Sequence, residues 1–166
     1  MAIRVFVFDD DELIRTTLSY FLTQEGYLVS EFAQPDHCSL YYEKDCICGV
    51  KKACADIIIT DINMPGEDGI SFIEKQIRKG CKVEHIAVMS GDWEDPLLEK
   101  AKEIGCEVLY KPFSIIKLKN WLDSIRPDFT DKGEILYVPV YTKETKKEHR
   151  EEKPAMTRLQ ATKTTS

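Results

Sequence analysis

Carboxylate, hydroxyl and ammonium side chains stand where short apolar runs of the sequence end. Asp9 and Asp10 follow one such run, and Asp61, Ser90 and Lys111 stand at the ends of three others. Several carboxylates in one cleft repel and raise each other's pKa unless a cation neutralises them. Carboxylate oxygens suit Mg²⁺, which also pairs with phosphate oxygens. A carboxylate beside Mg²⁺, a lysine and a hydroxyl can attack phosphorus, so this set predicts an aspartyl phosphate.

Cysteines form the second chemically active set, with six in 166 residues. Four share one stretch and the spacing C-x7-C-x-C-x5-C: Cys38, Cys46, Cys48 and Cys54. This spacing differs from the paired knuckles of a zinc ribbon. Three interpretations therefore stay open: a second metal site for Zn²⁺ or an iron–sulfur cluster, a reversible thiol–disulfide switch, or buried packing. Cys54, Cys81 and Cys106 each precede an apolar run, which predicts that all three lie at one edge of a sheet.

The elements that must position these residues alternate along the chain. Apolar runs predict strands over residues 3–8, 27–32, 56–60, 85–90 and 108–110. Helical periodicity follows four of them, over 14–22, 70–77, 97–104 and 115–125, and the cysteine-rich stretch, about 37–54, fills the remaining helical slot. Strands alternating with helices predict right-handed crossovers and a parallel sheet covered on both faces. Active groups of such sheets lie at the carboxyl ends of strands, so the acidic, hydroxyl and lysine residues should converge.

Composition excludes some classes of protein. The formal net charge of −6 argues against a nucleic-acid binder that works by neutralising phosphates. No apolar run approaches transmembrane length, and the N-terminal run is too short for a signal peptide. We therefore expect a cytoplasmic protein with no membrane span.

The last forty residues differ from the rest of the chain. Residues 1–126 hold 15 basic and 22 acidic side chains, whereas residues 127–166 hold 8 and 7. We expect one domain over 1–126 and a polar, mostly flexible tail over 127–166. The tail contains one apolar segment, ILYVPVY (135–141), which could add an edge strand or dock a partner. It contains no predicted DNA-binding unit.

Four segments together carry a family resemblance. VFDDDELIR, IIITDINMPGEDG, AVMSG and YKPF occur in this order, and over about residues 3–126 the chain resembles the receiver domain of two-component response regulators. The resemblance implies a three-layer, doubly wound, flavodoxin-like α/β fold. Its five-stranded parallel sheet would have the strand order 2-1-3-4-5.

The resemblance also implies roles for single residues. Asp61 would accept the phosphoryl group, while Asp9 and Asp10 would hold Mg²⁺ together with Asp61 and the backbone carbonyl of Asn63. Ser90 would be the switch hydroxyl. Lys111 would contact the phosphoryl group, and its bond to Pro112 would be cis. Two further polar positions, Asn63 and Asp92, correspond to places that tune the rate of phosphoryl hydrolysis in the family.

The resemblance implies a signalling protein rather than an enzyme with a separate substrate. A histidine kinase or phosphotransfer protein would supply the phosphoryl group, and a downstream protein would read it by direct contact, without direct nucleic-acid binding. The oligomeric state stays open. The alternative is a metal- or redox-sensing adaptor on a receiver scaffold with the cysteines as its input. A phosphatase using Asp61 is disfavoured because Asn63 replaces the second catalytic aspartate expected two residues on.

Overall fold

The fold comes from a computed structural model that describes residues 3–48, 53–92 and 94–129. Within these ranges the chain forms five strands and four α-helices. The strands are β1 (Arg4–Phe8), β2 (Leu28–Phe32), β3 (Ile57–Asp61), β4 (His85–Ser90) and β5 (Glu107–Tyr110). The helices are α1 (Glu12–Gln24), α2 (Gly69–Arg78), α3 (Leu97–Ile104) and α4 (Ile115–Ile125).

All strand pairs are parallel, and the sheet order is β2-β1-β3-β4-β5. This order confirms the predicted doubly wound, flavodoxin-like fold. β3 is central and buried along its whole length, as its run of isoleucines predicts. The carboxyl ends of β1 and β3 are therefore neighbours at one edge of the sheet.

The side chains of the strands alternate between the two faces of the sheet, and each face packs against helices. Val5 and Val7 of β1 face the leucines of α1 and α4, in a core that also contains Ile57 and Ile59. Intervening residues such as Phe6 and Phe8 face the opposite side, where Phe72 and Ile73 of α2 cover them. A third cluster places Leu98 and Ala101 of α3 against Ile62 and Val88. The period of two in the strands thus produces a three-layer domain.

Side-chain caps fix where the helices begin. Oδ1 of Asp11 accepts hydrogen bonds from the backbone N–H groups of Leu13 (2.8 Å) and Ile14 (3.2 Å), and Asp68 caps α2 in the same way through Ser71. Ser114 caps α4, where its hydroxyl accepts from the N–H of Lys117 at 3.2 Å. α3 ends at Gly105, whose φ of +88° suits a residue without a Cβ atom.

The slot between β2 and β3 contains no α-helix among its described residues. Two 3₁₀ turns, Pro35–His37 and Ser39–Tyr41, cover this part of the sheet instead. Leu40 and Cys38 are buried there in the same cluster as Phe72. The Lys79 ammonium holds the second turn by donating to the carbonyl of Tyr41 at 2.6 Å.

The domain continues slightly past its predicted boundary at residue 126. A last 3₁₀ turn spans Arg126–Phe129, and the ring of Phe129 lies 5.1 Å from that of His85. Residues 130–166 lie outside the described part of the chain, so the predicted flexible tail and the segment 135–141 stay predictions. No helix among the described residues is long and apolar enough to cross a membrane.

Candidate functional site

An acidic pocket forms where β1 and β3 end. Asp9 follows the last residue of β1, and Asp61 is the last residue of β3. One oxygen from each of Asp9, Asp10 and Asp61 lies within 4.8 Å of the others. Asp9 and Asp61 are buried, while Asp10 is exposed and leaves the pocket open on its side. The predicted convergence of these three carboxylates is thus found in the structure.

Lys111 joins two members of this acidic pocket. It follows β5, and its Nζ lies 2.8 Å from Oδ2 of Asp9 and 2.8 Å from Oδ1 of Asp61. Burial alone would lower the pKa of Lys111, but hydrogen bonds to Asp61 and Asp9 outweigh that effect and raise it. The lysine therefore stays charged. Its peptide bond to Pro112 is cis, as the resemblance implies.

The charges of the pocket do not balance within the protein. Burial raises the pKa of Asp61 above its ordinary value, and the neighbouring Asp9 and Asp10 add to this, while Lys111 opposes it. Three carboxyl groups face one ammonium group, so full ionisation of the three would leave an excess of about two negative charges. A hard divalent cation with oxygen ligands offsets that excess, so the donor set fits Mg²⁺.

Backbone and side-chain contacts hold Asp9 in place. Its Oδ1 accepts from the N–H of Asp11 at 2.9 Å. Nη1 of Arg15 donates to the Asp9 carbonyl at 2.8 Å. Asp11 caps α1 with its own side chain and is absent from the set of converging carboxylates. Asp11 therefore helps to hold Asp9 in place through its backbone N–H, but its own carboxylate does not line the pocket.

Ser90 ends β4 and is fully buried. Its Oγ donates to the carbonyl of Asp92 at 2.9 Å and accepts from the N–H of the same residue at 3.1 Å. Both hydrogen bonds therefore hold the Ser90 hydroxyl against the backbone of Asp92, two residues further along the chain. The backbone N–H of Lys111 donates to the carbonyl of Ser90 at 2.6 Å, which fixes the ends of β4 and β5 side by side.

Asn63 is exposed two residues beyond the end of β3. Its Nδ2 donates to Oδ2 of Asp95 at 3.2 Å. Asp95 also accepts from the N–H of Leu97 at 2.9 Å, so one buried carboxylate caps α3 and restrains Asn63. The Asp95–Pro96 pair signals a helix start in the sequence, but only the structure reveals the link to Asn63.

Gly69 is a residue that sequence reasoning missed. It begins α2, and its N–H donates to the carbonyl of Ile62 at 2.8 Å. A Cβ atom at this position would lie 2.1 Å from the carbonyl oxygen of Asp61. The close approach of two backbones explains the glycine, and it fixes α2 against the end of β3.

The cysteines gather at the opposite end of the sheet from the acidic pocket. The Sγ atoms of Cys46, Cys48, Cys54 and Cys81 all lie within 4.8 Å of one another. Cys38, which the sequence analysis grouped with the first three, is outside this set. It is buried in the apolar cluster, and burial raises its pKa to about 11.

The predicted cysteine set is therefore wrong in one member. Cys81 takes the place of Cys38 because Cys54 and Cys81 precede the adjacent parallel strands β3 and β4, so both lie at the same sheet edge. Cys106 precedes β5 but packs in a different cluster with Leu98 and Ala101.

Comparison with known proteins identifies the family of the domain. A family model described as the response regulator receiver domain matches residues 5–123. The transcriptional regulatory protein FixJ of Bradyrhizobium diazoefficiens is 29% identical over 121 residues, which cover 72% of this chain and 55% of that protein. The chemotaxis protein CheY of Treponema pallidum is 30% identical over 130 residues, covering 74% and 81%. These relatives give no support to the alternative that the chain is a metal- or redox-sensing adaptor on a receiver scaffold.

Solved structures agree with this match. The chemotaxis protein CheY4 of Vibrio cholerae has 25% sequence identity and a TM-score of 0.61, with 75% of this chain and 99% of that one covered. The receiver domain structure FixJ-N, at 20% identity and a TM-score of 0.61, shares the fold. The chain spans about half the length of the FixJ proteins it matches. The four sequence motifs, the strand order and the family match agree, and the chain belongs to the response regulator receiver domain family of phosphorylation-dependent signalling proteins.

Proposed function

We propose that Asp61 is the phosphoacceptor of this receiver domain and that Lys111, Asp9 and Asp10 assist the transfer. The observation that carries the proposal is the position of Lys111, whose Nζ lies 2.8 Å from both Asp9 and Asp61. A single ammonium group thus stands where the oxygens of an incoming phosphoryl group would need a positive partner. Receiver domains bind Mg²⁺ at this kind of acidic pocket.

The transfer consists of one bond formed and one broken. A carboxylate oxygen of Asp61 bonds to phosphorus, while the bond from phosphorus to the donor's imidazole nitrogen breaks and its electron pair stays with the imidazole. Asp9, Asp10, Asp61 and the backbone carbonyl of Asn63 would hold Mg²⁺, which when bound neutralises charge on the phosphoryl oxygens. Lys111 provides the remaining positive charge on the protein side.

Ser90 would convert this chemistry into a conformational signal. The hydroxyl now donates to the Asp92 carbonyl at 2.9 Å. Phosphorylation offers it a stronger, charged acceptor, because hydrogen bonds to ionised groups exceed those to a carbonyl. A change of acceptor would release residues 90–92 and shift the equilibrium between two arrangements of the β4–α3 loop. A downstream protein would read that shift by direct contact, without nucleic-acid binding by this domain.

Receiver domains receive the phosphoryl group from histidine kinases or phosphotransfer proteins. We propose that such a donor docks on the apolar groove beside Lys111, because a protein donor must cover the pocket mouth. The groove, about 460 Å³ in volume, lies between α1 and the start of α4 and is lined by Leu13, Phe113 and Ile115. Leu13 is 75% exposed and Ile115 is 37% exposed, so the groove presents a continuous apolar surface to a partner.

The role of the groove in docking a protein donor can be tested separately from phosphoryl transfer to Asp61. In Leu13→Ser, transfer from a phosphorylated histidine phosphotransfer domain that labels the wild-type chain should slow about tenfold, the loss of one apolar anchor. Labelling by acetyl phosphate should not change. Tyr20→Ser, a similarly exposed change on the same helix away from the groove, is the control. Equal rates for Leu13→Ser and wild type with the protein donor would refute the docking surface.

The phosphoacceptor is tested with a small donor. The 166-residue chain is incubated with Mg²⁺ and acetyl phosphate or, in a separate reaction, with Mg²⁺ and a phosphorylated phosphotransfer protein, and its intact mass is measured. We expect one phosphoryl adduct that EDTA prevents, that Asp61→Asn abolishes and that the surface variant Asp123→Asn retains. An adduct on Asp61→Asn, or none on the wild type with either donor, would overturn the proposal.

We also propose a cytoplasmic location, where six free thiols stay reduced.

A further inference from the structure

We propose that Cys46, Cys48, Cys54 and Cys81 bind one structural Zn²⁺ ion at the end of the domain opposite the phosphoacceptor. The site brings together two separate parts of the chain. Three cysteines come from the cysteine-rich stretch before β3, and Cys81 comes from the loop between α2 and β4.

The spacing of the sulfur atoms fits one tetrahedral ion. The Sγ atoms of Cys46 and Cys48 are 3.3 Å apart, those of Cys54 and Cys81 are 3.5 Å apart, and all four fall within 4.8 Å. Four sulfurs at about 2.3 Å from a central Zn²⁺ stand about 3.8 Å from each other. A disulfide would need about 2.05 Å, and an iron–sulfur cubane would spread the thiolates much further because each binds a different iron.

Backbone N–H groups point at the sulfurs as they do around a metal-bound thiolate. Sγ of Cys48 accepts from the N–H of Cys54 at 3.1 Å and from that of Lys82 at 3.3 Å. Backbone hydrogen bonds from Cys48 and Val83 likewise reach the thiols of Cys46 and Cys81. Such contacts orient ligands and stabilise their charge. Simple packing of buried thiols would not require them.

The place of the site explains what a metal would do. The slot between β2 and β3 has 3₁₀ turns where an α-helix would supply packing. The Cys46 N–H donates to the Lys79 carbonyl at 2.7 Å, just past the end of α2, so the stretch already touches the loop that carries Cys81. A metal bridging the two would fasten the cysteine-rich stretch to α2 and stabilise this edge of the domain.

The metal content of the full-length protein tests the proposal. After expression with zinc and iron both supplied, elemental analysis should find about one zinc per chain and negligible iron. Cys48→Ser and Cys81→Ser should lose the zinc, while Cys38→Ala and Cys106→Ala, the two cysteines outside the cluster, should retain it. Retention by Cys81→Ser together with loss by Cys38→Ala would overturn the assigned ligands.

Two measurements keep the proposal testable if a cysteine variant fails to fold. In the wild-type protein, the four cluster thiols should resist alkylation until a chelator is added, as peptide mapping would show. Anaerobic replacement of zinc by Co²⁺ should give the intense visible bands and sulfur charge-transfer absorption of a tetrahedral tetrathiolate. Substoichiometric metal, a stoichiometric iron chromophore, or cluster thiols that react at once would each overturn the zinc site.

Discussion

Asp61 lies in surroundings that oppose its negative charge. Burial raises its pKa, and Asp9 and Asp10 repel the charged form, while Lys111 compensates in part. A carboxyl group whose pKa is raised by folding makes the protein more stable at low pH, and that stability is lost as the pH rises through the folded-state pKa. At neutral pH without Mg²⁺, the ionised Asp61 should therefore destabilise the domain.

This argument predicts a stabilising substitution in the pocket. Asp61→Asn should raise the melting temperature of the metal-free protein at pH 7, and the gain should shrink as the pH falls toward 4 and when Mg²⁺ is added. A change of about 1 kcal/mol moves the melting temperature by about 4 °C in a domain of about 125 residues, so thermal denaturation can resolve it. Glu103→Gln, an exposed change of the same charge, is the control. A rise in the melting temperature of Asp61→Asn that does not depend on pH would contradict the view that removal of the Asp61 charge causes it.

Asn63 is exposed two residues beyond Asp61, and its amide donates to the carboxylate of Asp95 at 3.2 Å. We propose that this amide, together with Asp92, helps to position a hydrolytic water once Asp61 is phosphorylated. Asn63→Lys should lengthen the phosphoryl lifetime by up to about tenfold, or about 1.4 kcal/mol in the barrier, because a long cationic chain displaces the water.

The lifetime is measured by loss of the phosphoryl mass after the donor is removed. Asn120→Lys makes the same change at an exposed position of α4 and should leave the lifetime as in the wild type. A lifetime for Asn63→Lys equal to or shorter than that of the wild type would show that Asn63 has no such role.

At the scale of elements, a glycine allows α2 to lie against the backbone of Asp61. A methyl group at Gly69 would meet the Asp61 carbonyl oxygen at 2.1 Å, and backbone atoms cannot give way as side chains do. Gly69→Ala should cost about 1–3 kcal/mol in the free energy of unfolding, or more, and should slow phosphorylation because Asp61 must shift. Gly91→Ala has no heavy atom within 4 Å and is the control for stability. Equal unfolding free energies for the two variants would contradict the proposed clash.

The sequence predicted most elements because their signals are local. Each strand falls within one residue of its apolar run, and Ser114 begins α4 through a hydrogen bond that its side chain makes. Convergence of Asp9, Asp61 and Lys111 followed from the rule that parallel strands end at one edge. The cysteine set failed because Cys81 is distant in sequence from Cys54, although the shared position before a strand did signal their meeting. The hydrogen-bond partner of Ser90 depends on loop geometry that no periodicity encodes.

At the scale of the whole molecule, two sites occupy opposite ends of one sheet. β3 separates Asp61 from the cysteine cluster: its five residues span about 13 Å at about 3.3 Å per residue, and Cys54 lies three residues before the strand begins. Among the described residues, the hydrogen bonds within the cluster and the ion pairs of the pocket share no member. Substitutions separated by such a distance usually act independently.

This separation predicts that the cluster supports stability but not phosphoryl transfer. Cys54→Ser should lower the melting temperature, yet at a temperature well below its transition it should be phosphorylated by acetyl phosphate at the wild-type rate. The free-energy effects of Cys54→Ser and Asp61→Asn should add within about 0.5 kcal/mol in the double variant. Asp61→Asn combined with Lys111→Met is the positive control, since these side chains lie 2.8 Å apart and should deviate from additivity. Two results would show that the ends of the sheet are coupled: slower phosphorylation of Cys54→Ser, or a deviation from additivity above about 0.5 kcal/mol for Cys54→Ser combined with Asp61→Asn. The cysteines would then regulate phosphorylation of Asp61 as well as stabilise the domain.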